Sequence, residues 1–230
     1  MQRDQIVGCL VGGAIGDAMG GPHENQPAPI NPYSGGAWCL SDDTQLSLAT
    51  CEAIRNRGAV DPEAIAATFL EWFRARRLSG IGASTYQALN SLAAGSHWAL
   101  AGRKGEKSAG NGAAMRIAPL AFFCDPTSAE DRVLIRDVCR ITHHNDEAYV
   151  GALAVLLAMR EILADGDSSR ELLTRRVVRD LPDTRVRDQL LAVSELDPAT
   201  EIPEVAERFG STGWVVHTVP LALFAAQQLR

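Results

Sequence analysis

Four carboxylates fall into two short runs of this sequence. Asp17 and Glu24 belong to Gly-Asp-Ala-Met-Gly-Gly-Pro-His-Glu (16–24), and Asp42 and Asp43 sit in Ser-Asp-Asp-Thr (41–44). Oxygen donors of this kind suit Mg²⁺, Mn²⁺ or Ca²⁺ rather than zinc, with the Ser41 hydroxyl as a further ligand. Carboxylate-rich sites commonly hold two metals that position and activate water between them. A second explanation stands beside this one. Ser41 reads as a helix N-cap, and acids at the next two positions complement the helix dipole without any metal.

A second group is Gly110-Asn111-Gly112-Ala113-Ala114-Met115-Arg116. It reads as a glycine-flanked turn entering a helix that ends near Pro119. Backbone N–H groups at such a junction can cradle a phosphate or pyrophosphate, although the same tripeptide also makes ordinary turns. Arg116 is a candidate phosphate contact and equally a candidate partner for one of the acids. His143, in Thr142-His143-His144, stands where the chain enters an apolar segment and is a candidate ligand contact, whereas His97 and His217 read as structural.

The elements that must position these residues are helices, and the fold class is all-α, since no alternating β-branched run argues for a sheet. Asp61-Pro62-Glu63 is an N-cap, a first-turn proline and a dipole-favoured acid, after which Ile65, Phe69, Trp72 and Phe73 share one face. Thr127 with Glu130, and Ser168 with Glu171, match the capping box. Nearly every position from Ala148 to Met159 is apolar, which predicts a helix buried on most sides. Gly8, Gly12, Gly16 and Gly20 recur at a spacing of four along the first helix, at roughly 1 kcal/mol each relative to alanine. Such a ridge suits close approach of another backbone and leaves room beside Asp17 for a ligand. Loops are expected at 22–36, 102–112, 124–126, 164–167 and 197–203.

Composition narrows the function classes. The 230 residues suit a single domain over 1–230. They carry 46% hydrophobic residues and a net charge of −6. No apolar run approaches the roughly 18 residues of a membrane span, and the N-terminus has no targeting pattern. A nucleic-acid footprint is not expected, because the short run Arg74–Arg77 reads as a solvated helix face. Five cysteines without a C-x-x-C pair argue for reduced thiols and a cytoplasmic location. Without a His-Asp doublet or a Glu-x-x-His pair, the di-iron bundle is a poor alternative.

Taken in order, the 16–24, 41–44 and 110–116 runs, Thr142-His143 and Gly-Trp-Val-Val-His-Thr-Val-Pro (213–220) resemble the motifs of the ADP-ribosylglycohydrolase family. The resemblance implies a compact orthogonal multi-helix fold, a dinuclear Mg²⁺ or Mn²⁺ site, and hydrolysis of the bond joining ADP-ribose to an acceptor such as a protein side chain. It implies metal ligation by Ser41, Asp42, Asp43 and Glu24 with Asp17 in support, catalysis by Glu24, Asp42 and Asp43, and substrate contacts from Gly110, Asn111, Gly112, Arg116 and His143. The partner is then ADP-ribose or an ADP-ribosylated protein. Ser41 stands where the family usually has threonine, and a Gly-Gly-Asp-Thr-Asp-Thr-like segment that supplies further metal ligands is not found before Arg230. The alternative is therefore a catalytically impaired ADP-ribose binder. Val215, Val216, Val219, Leu221, Leu223 and Phe224 form an apolar helix with no stop signal, which invites self-association or a second chain.

Overall fold

A computed structural model describes residues 2–24, 26, 38–165 and 172–228. Eleven α-helices carry the described residues: α1 (Gln2–Gly20), α2 (Asp42–Arg57), α3 (Pro62–Arg74), α4 (Ala83–Ala93), α5 (Trp98–Ala101), α6 (Ala129–Arg140), α7 (Asp146–Asp165), α8 (Leu173–Val178), α9 (Arg185–Ser194), α10 (Ile202–Phe209) and α11 (Val215–Gln228). The all-α expectation holds. The exception is a two-residue parallel pair, β1 (Arg103–Lys104) with β2 (His143–His144), in register Arg103 to His143 and Lys104 to His144.

The local signals explain most helix starts. The Ser41 hydroxyl accepts from the Asp43 N–H and caps α2, which ends at Gly58 with φ +77°. The Asp61 carboxylate accepts from the N–H groups of Glu63 and Ala64, and Pro62 opens α3. Ile65, Phe69 and Trp72 of that helix are buried against Leu46, Ala49 and Ala53 of α2. Helix α7 is the axis of the fold, touching α6, α8, α9 and α11, with Ala152, Leu153, Ala154 and Leu156 wholly buried. At Gly151 an added Cβ would strike Val215 Cγ2, so the missing side chain sets how closely α7 and α11 approach.

Several expectations are corrected. Helix α6 is capped by Ser128, one residue later than expected, because the Asp125 carboxylate engages both the N–H and hydroxyl of Thr127. The Ser168/Glu171 box lies outside the described residues. Residues 113–123 form two 3-10 turns (Ala114–Arg116 and Ala118–Phe122) rather than a helix ending at Pro119. Proline there removes a donor and disfavours the α conformation before it. The 102–112 loop contains β1, and α10 begins at Ile202, inside the expected 197–203 loop.

The glycine ridge of α1 does not meet a backbone. Added Cβ atoms at Gly8, Gly12, Gly16 and Gly20 would find nothing within 4 Å among the described residues, and Val7, Val11 and Ile15 are about half exposed. By contrast, the apolar side chains of α11 are covered from within the chain. Val215, Val216, Val219, Leu223 and Phe224 are buried against α7, α8, α9 and α10, with Leu221 partly buried beside them. Among the described residues no helix is long and apolar enough to cross a membrane.

Candidate active site

Asp17, near the end of α1, points at the N-terminus of α2. Its Oδ1 accepts from Ser41 Oγ at 2.6 Å. Its Oδ2 accepts from Ser41 N at 2.9 Å, Thr44 N at 3.3 Å and Thr44 Oγ1 at 2.6 Å. Three of the four donors converge on Oδ2 and one meets Oδ1. Burial pushes the Asp17 carboxyl up, but the bonds from Ser41 and Thr44 outweigh it and hold the group below its ordinary value. Asp17 thus anchors α1 to α2 and orients Ser41 at the start of that helix.

The Ser41 hydroxyl lies 2.6 Å from Asp17 Oδ1 and 2.8 Å from Asp43 Oδ2. It carries one proton. Asp17 and Asp43 therefore compete for that one proton, and neither can hold it fully without loosening the other's bond. Burial and the Asp17 charge raise the Asp43 carboxyl, against the Ser41 hydroxyl, which lowers it. Asp42 is buried at 7% exposure. Burial and then the Asp43 charge push its carboxyl up to about 7, with Glu24 adding to the rise and the Asp42 and Gly82 backbone N–H groups opposing it. Glu24 itself is exposed just beyond the short turn Gly21–His23.

A hard divalent cation fits the chemistry of this crowd: oxygen donors only, and carboxylates held close enough to raise one another. Among the described residues no three or more His, Cys, Asp and Glu side chains gather tightly enough to hold a metal by themselves.

The Gly110–Gly112 loop is built from strand-like contacts with the start of α11. Gly110 bridges Trp214, Asn111 N–H donates to Gly213 O at 3.0 Å, and Val215 N–H donates to Ala109 O at 2.9 Å. Beneath the loop lies the His143 ring, 3% exposed. An added Cβ at Gly112 would stand 2.6 Å from His143 Cε1, and one at Gly110 would stand 3.5 Å from His143 Nε2. At Gly112 the imidazole occupies the space a side chain would need, whereas at Gly110 a Cβ would only touch the ring. A small cavity of about 80 Å³, lined by Cys9, Gly13, Asp43, Ser47 and Met115 among others, links the acid cluster to the turn that follows the loop.

Arg116 is not at the surface. It is fully buried, with Nη2 donating to Val138 O at 3.2 Å and to Thr142 Oγ1 at 2.9 Å. Its guanidinium carbon lies 4.8 Å from the centre of the Phe69 ring. It pairs with no carboxylate among the described residues. Burial lowers its pKa to about 10, so it stays charged at neutral pH. The phosphate contact expected of it is therefore replaced by contacts to the core. His97 and His217 are structural as expected: His97 accepts from Ala99 N to cap α5, and His217 packs on Gly210 and contacts Thr212.

Sequence reasoning missed the Ser79–Gly82 loop and Thr85. An added Cβ at Gly80, where φ is +78°, would lie 3.5 Å from Asp42 Oδ1, and Thr85 Oγ1 would lie 3.4 Å from one at Gly112. Gln45 ties the loop to α2 by accepting from Ser79 N at 2.7 Å. The pattern Gly80-Ile81-Gly82 was the available signal.

With this geometry in place the comparisons can be read. The chain matches the ADP-ribosylglycohydrolase family over residues 1–229. It is 28% identical to ADP-ribosylarginine hydrolase Tri1 of Pseudomonas putida, over 96% of this chain and 61% of that protein. It is 29% identical to ADP-ribosyl-[dinitrogen reductase] glycohydrolase of Rhodospirillum rubrum, over 62% of this chain and 52% of that one. The chain thus spans about half to three fifths of the length of these two relatives. A solved structure titled ADP-ribosylglycohydrolase-related protein complex superposes with a TM-score of 0.63 at 25% identity, over 99% of this chain and 75% of its own. The ordered motifs, the helical fold and a match across nearly every residue place this chain in the ADP-ribosylglycohydrolase family.

Proposed function

We propose that this chain is a single ADP-ribosylglycohydrolase-like domain that hydrolyses the glycosidic bond between ADP-ribose and an acceptor on a modified protein. The observation that supports this reading is, in a member of this family, a crowded acid cluster at the start of α2 that shares a cavity with Met115, just after a glycine loop laid over a buried imidazole.

Glycosidic cleavage passes through an oxocarbenium-like state, which needs a proton for the leaving group and a placed water. Glu24, exposed beside Asp42, is placed to handle a proton at its carboxylate. Asp42, held by Gly82 N–H and crowded by Asp43, is the group whose charge a bound cation would stabilise most. Asp42, Asp43 and Glu24 would hold Mg²⁺ or Mn²⁺, with Ser41 oriented by Asp17 beside them, and the ion would supply orientation of the ribose hydroxyls and a lowered pKa for water. Backbone N–H groups of the Gly110–Gly112 loop would face the diphosphate. The five cysteines are free in the structure, consistent with a cytoplasmic setting.

A second reading is a binder of ADP-ribose without turnover. It is favoured by the spacing of the acids, since no three His, Cys, Asp or Glu side chains among the described residues gather tightly enough to hold a metal. Calorimetric titration with ADP-ribose in Mg²⁺, in Mn²⁺ and after chelation, followed by release assays on ADP-ribosylated arginine and serine peptides, separates the two. Metal-dependent binding with release is expected. Binding without release leaves the second reading, and no binding defeats both.

A further inference from the structure

Arg116, Thr142 and His143 form a line of polar groups inside the core. Arg116 Nη2 donates to Thr142 Oγ1 at 2.9 Å, and Thr142 Oγ1 lies 2.8 Å from His143 Nδ1. Arg116 can only donate, and a hydroxyl has one proton to give. The Thr142 oxygen therefore accepts from Arg116, and its proton has one described acceptor within reach, His143 Nδ1. Donor accounting then assigns the tautomer, as it must where hydrogens are inferred: Nδ1 accepts and Nε2 carries the hydrogen. Burial and then the charges of Arg116 and Arg103 keep this imidazole neutral, with its pKa lowered to about 3. Nε2 lies on the loop side of the ring, nearest the positions of Gly110 and Gly112, and it makes no hydrogen bond among the described residues. The Nε2 atom is not sealed from solvent, so its hydrogen can meet an acceptor arriving from the loop side.

We propose that Arg116, acting through Thr142, is a positioning residue that locks His143 as the Nε2–H tautomer, a standing donor to an acceptor oxygen of the ligand at the Gly110–Gly112 loop. The donor role rests on the reading of that loop as the ligand seat, whereas the tautomer lock does not. The arrangement explains why a fully buried guanidinium has no carboxylate partner. An anion beside it would compete for its Nη2 donor and free the hydroxyl to turn. It also selects the ligand atom, since a ring N–H recognises a phosphate or ribose oxygen and not a donor group.

The test is nitrogen NMR of the full chain labelled at histidine, with the His143 signals assigned by their loss in His143→Gln. In the free protein Nδ1 should resonate as a pyridine-type nitrogen and Nε2 as a pyrrole-type nitrogen. Thr142→Ser should keep that pattern, while Thr142→Val and Arg116→Met should mix the tautomers. A dominant Nδ1–H form in the wild type, or an unaltered pattern in Thr142→Val, overturns the lock. Titration with ADP-ribose, with Mg²⁺ present throughout, tests the donor role. About tenfold weaker binding by Thr142→Val, the scale of one hydrogen bond, with affinity restored in Thr142→Ser, supports it. A locked tautomer in a chain that binds no ADP-ribose overturns the donor role and the ligand seat while the lock itself stands.

Discussion

At the start of α2, Asp17 and Asp43 share one hydroxyl, that of Ser41, with Asp42 buried beside them, and burial followed by neighbouring carboxylates raises the Asp42 and Asp43 carboxyls. Beneath the Gly110–Gly112 loop the imbalance is reversed: a guanidinium is sealed in the core with no carboxylate among the described residues, resting on an aromatic face, a carbonyl and a hydroxyl. The first region holds charge that something from outside can relieve. In the second, only Nη2 is held, by a carbonyl and a hydroxyl, while Nε and Nη1 have no hydrogen-bond partner among the described residues. The acid cluster reaches the surface and can be relieved from outside, whereas the guanidinium is sealed from solvent and can act only through its neighbours.

The largest expected effect lies in the acid region. Asp42→Ala should lower release of ADP-ribose from a modified peptide by about 100- to 10,000-fold; turnover that survives intact would separate the acid cluster from the chemistry. Next comes the buried cation. Arg116→Ala opens a cavity and should lose about 2–5 kcal/mol in urea unfolding. Arg116→Met fills the space without a buried charge and should be neutral or about 1 kcal/mol more stable, yet bind ADP-ribose more weakly. Should both variants lose stability alike, the guanidinium would be a structural requirement in its own right.

Acid sharpens the same contrast. His143 stays neutral in the fold down to about pH 3, while in the unfolded chain it takes up a proton below about 6.5. The unfolded state therefore binds more protons in that window, and stability from this group is lost as pH falls from about 6.5 toward 3, on the order of 4–5 kcal/mol. His143→Gln should flatten the slope of unfolding free energy against pH. Asp17→Ala removes an acceptor for four donors and should cost about 1–2 kcal/mol, equally with Mg²⁺ and with chelator; a loss seen only with Mg²⁺ would place Asp17 among the metal's ligands. The smallest effect belongs to the open ridge of α1, where Gly12→Ala should raise the melting temperature slightly, by up to about 1 kcal/mol of stability.

What could be read in advance followed the range of the forces involved. Ser41 and Asp61 announce their helices because a cap is satisfied two or three residues away, and the apolar run 148–159 announces a buried axis because nothing polar interrupts it. The shift from Thr127 to Ser128 was hidden because Asp125 competes locally for the threonine. Arg116 was hidden for a different reason. A charged residue reads as surface, and the groups that make its burial tolerable come from Phe69, Val138 and Thr142, 22 to 47 positions distant in sequence. The glycine ridge misled in the opposite direction: its period is real, but the face it makes is open among the described residues. Of the candidate site, the residue types were legible and their division of labour was not, since Asp17 turned out to be an anchor and Arg116 a core residue only when their partners were seen.

The bonds that shape the glycine loop reach across about a hundred residues, from Asn111 N–H to Gly213 O and from Val215 N–H to Ala109 O. A nascent chain therefore cannot finish this loop as it leaves the ribosome. Helices α2 and α3 can associate early, because their contacts are close in sequence, whereas the loop must wait until the start of α11 has been made and docked, with the closure entropy of a long span to overcome. The shape of this loop therefore waits on residues made about a hundred positions after the loop itself, so a chain stopped short of α11 would have its early helices paired and this loop still unshaped.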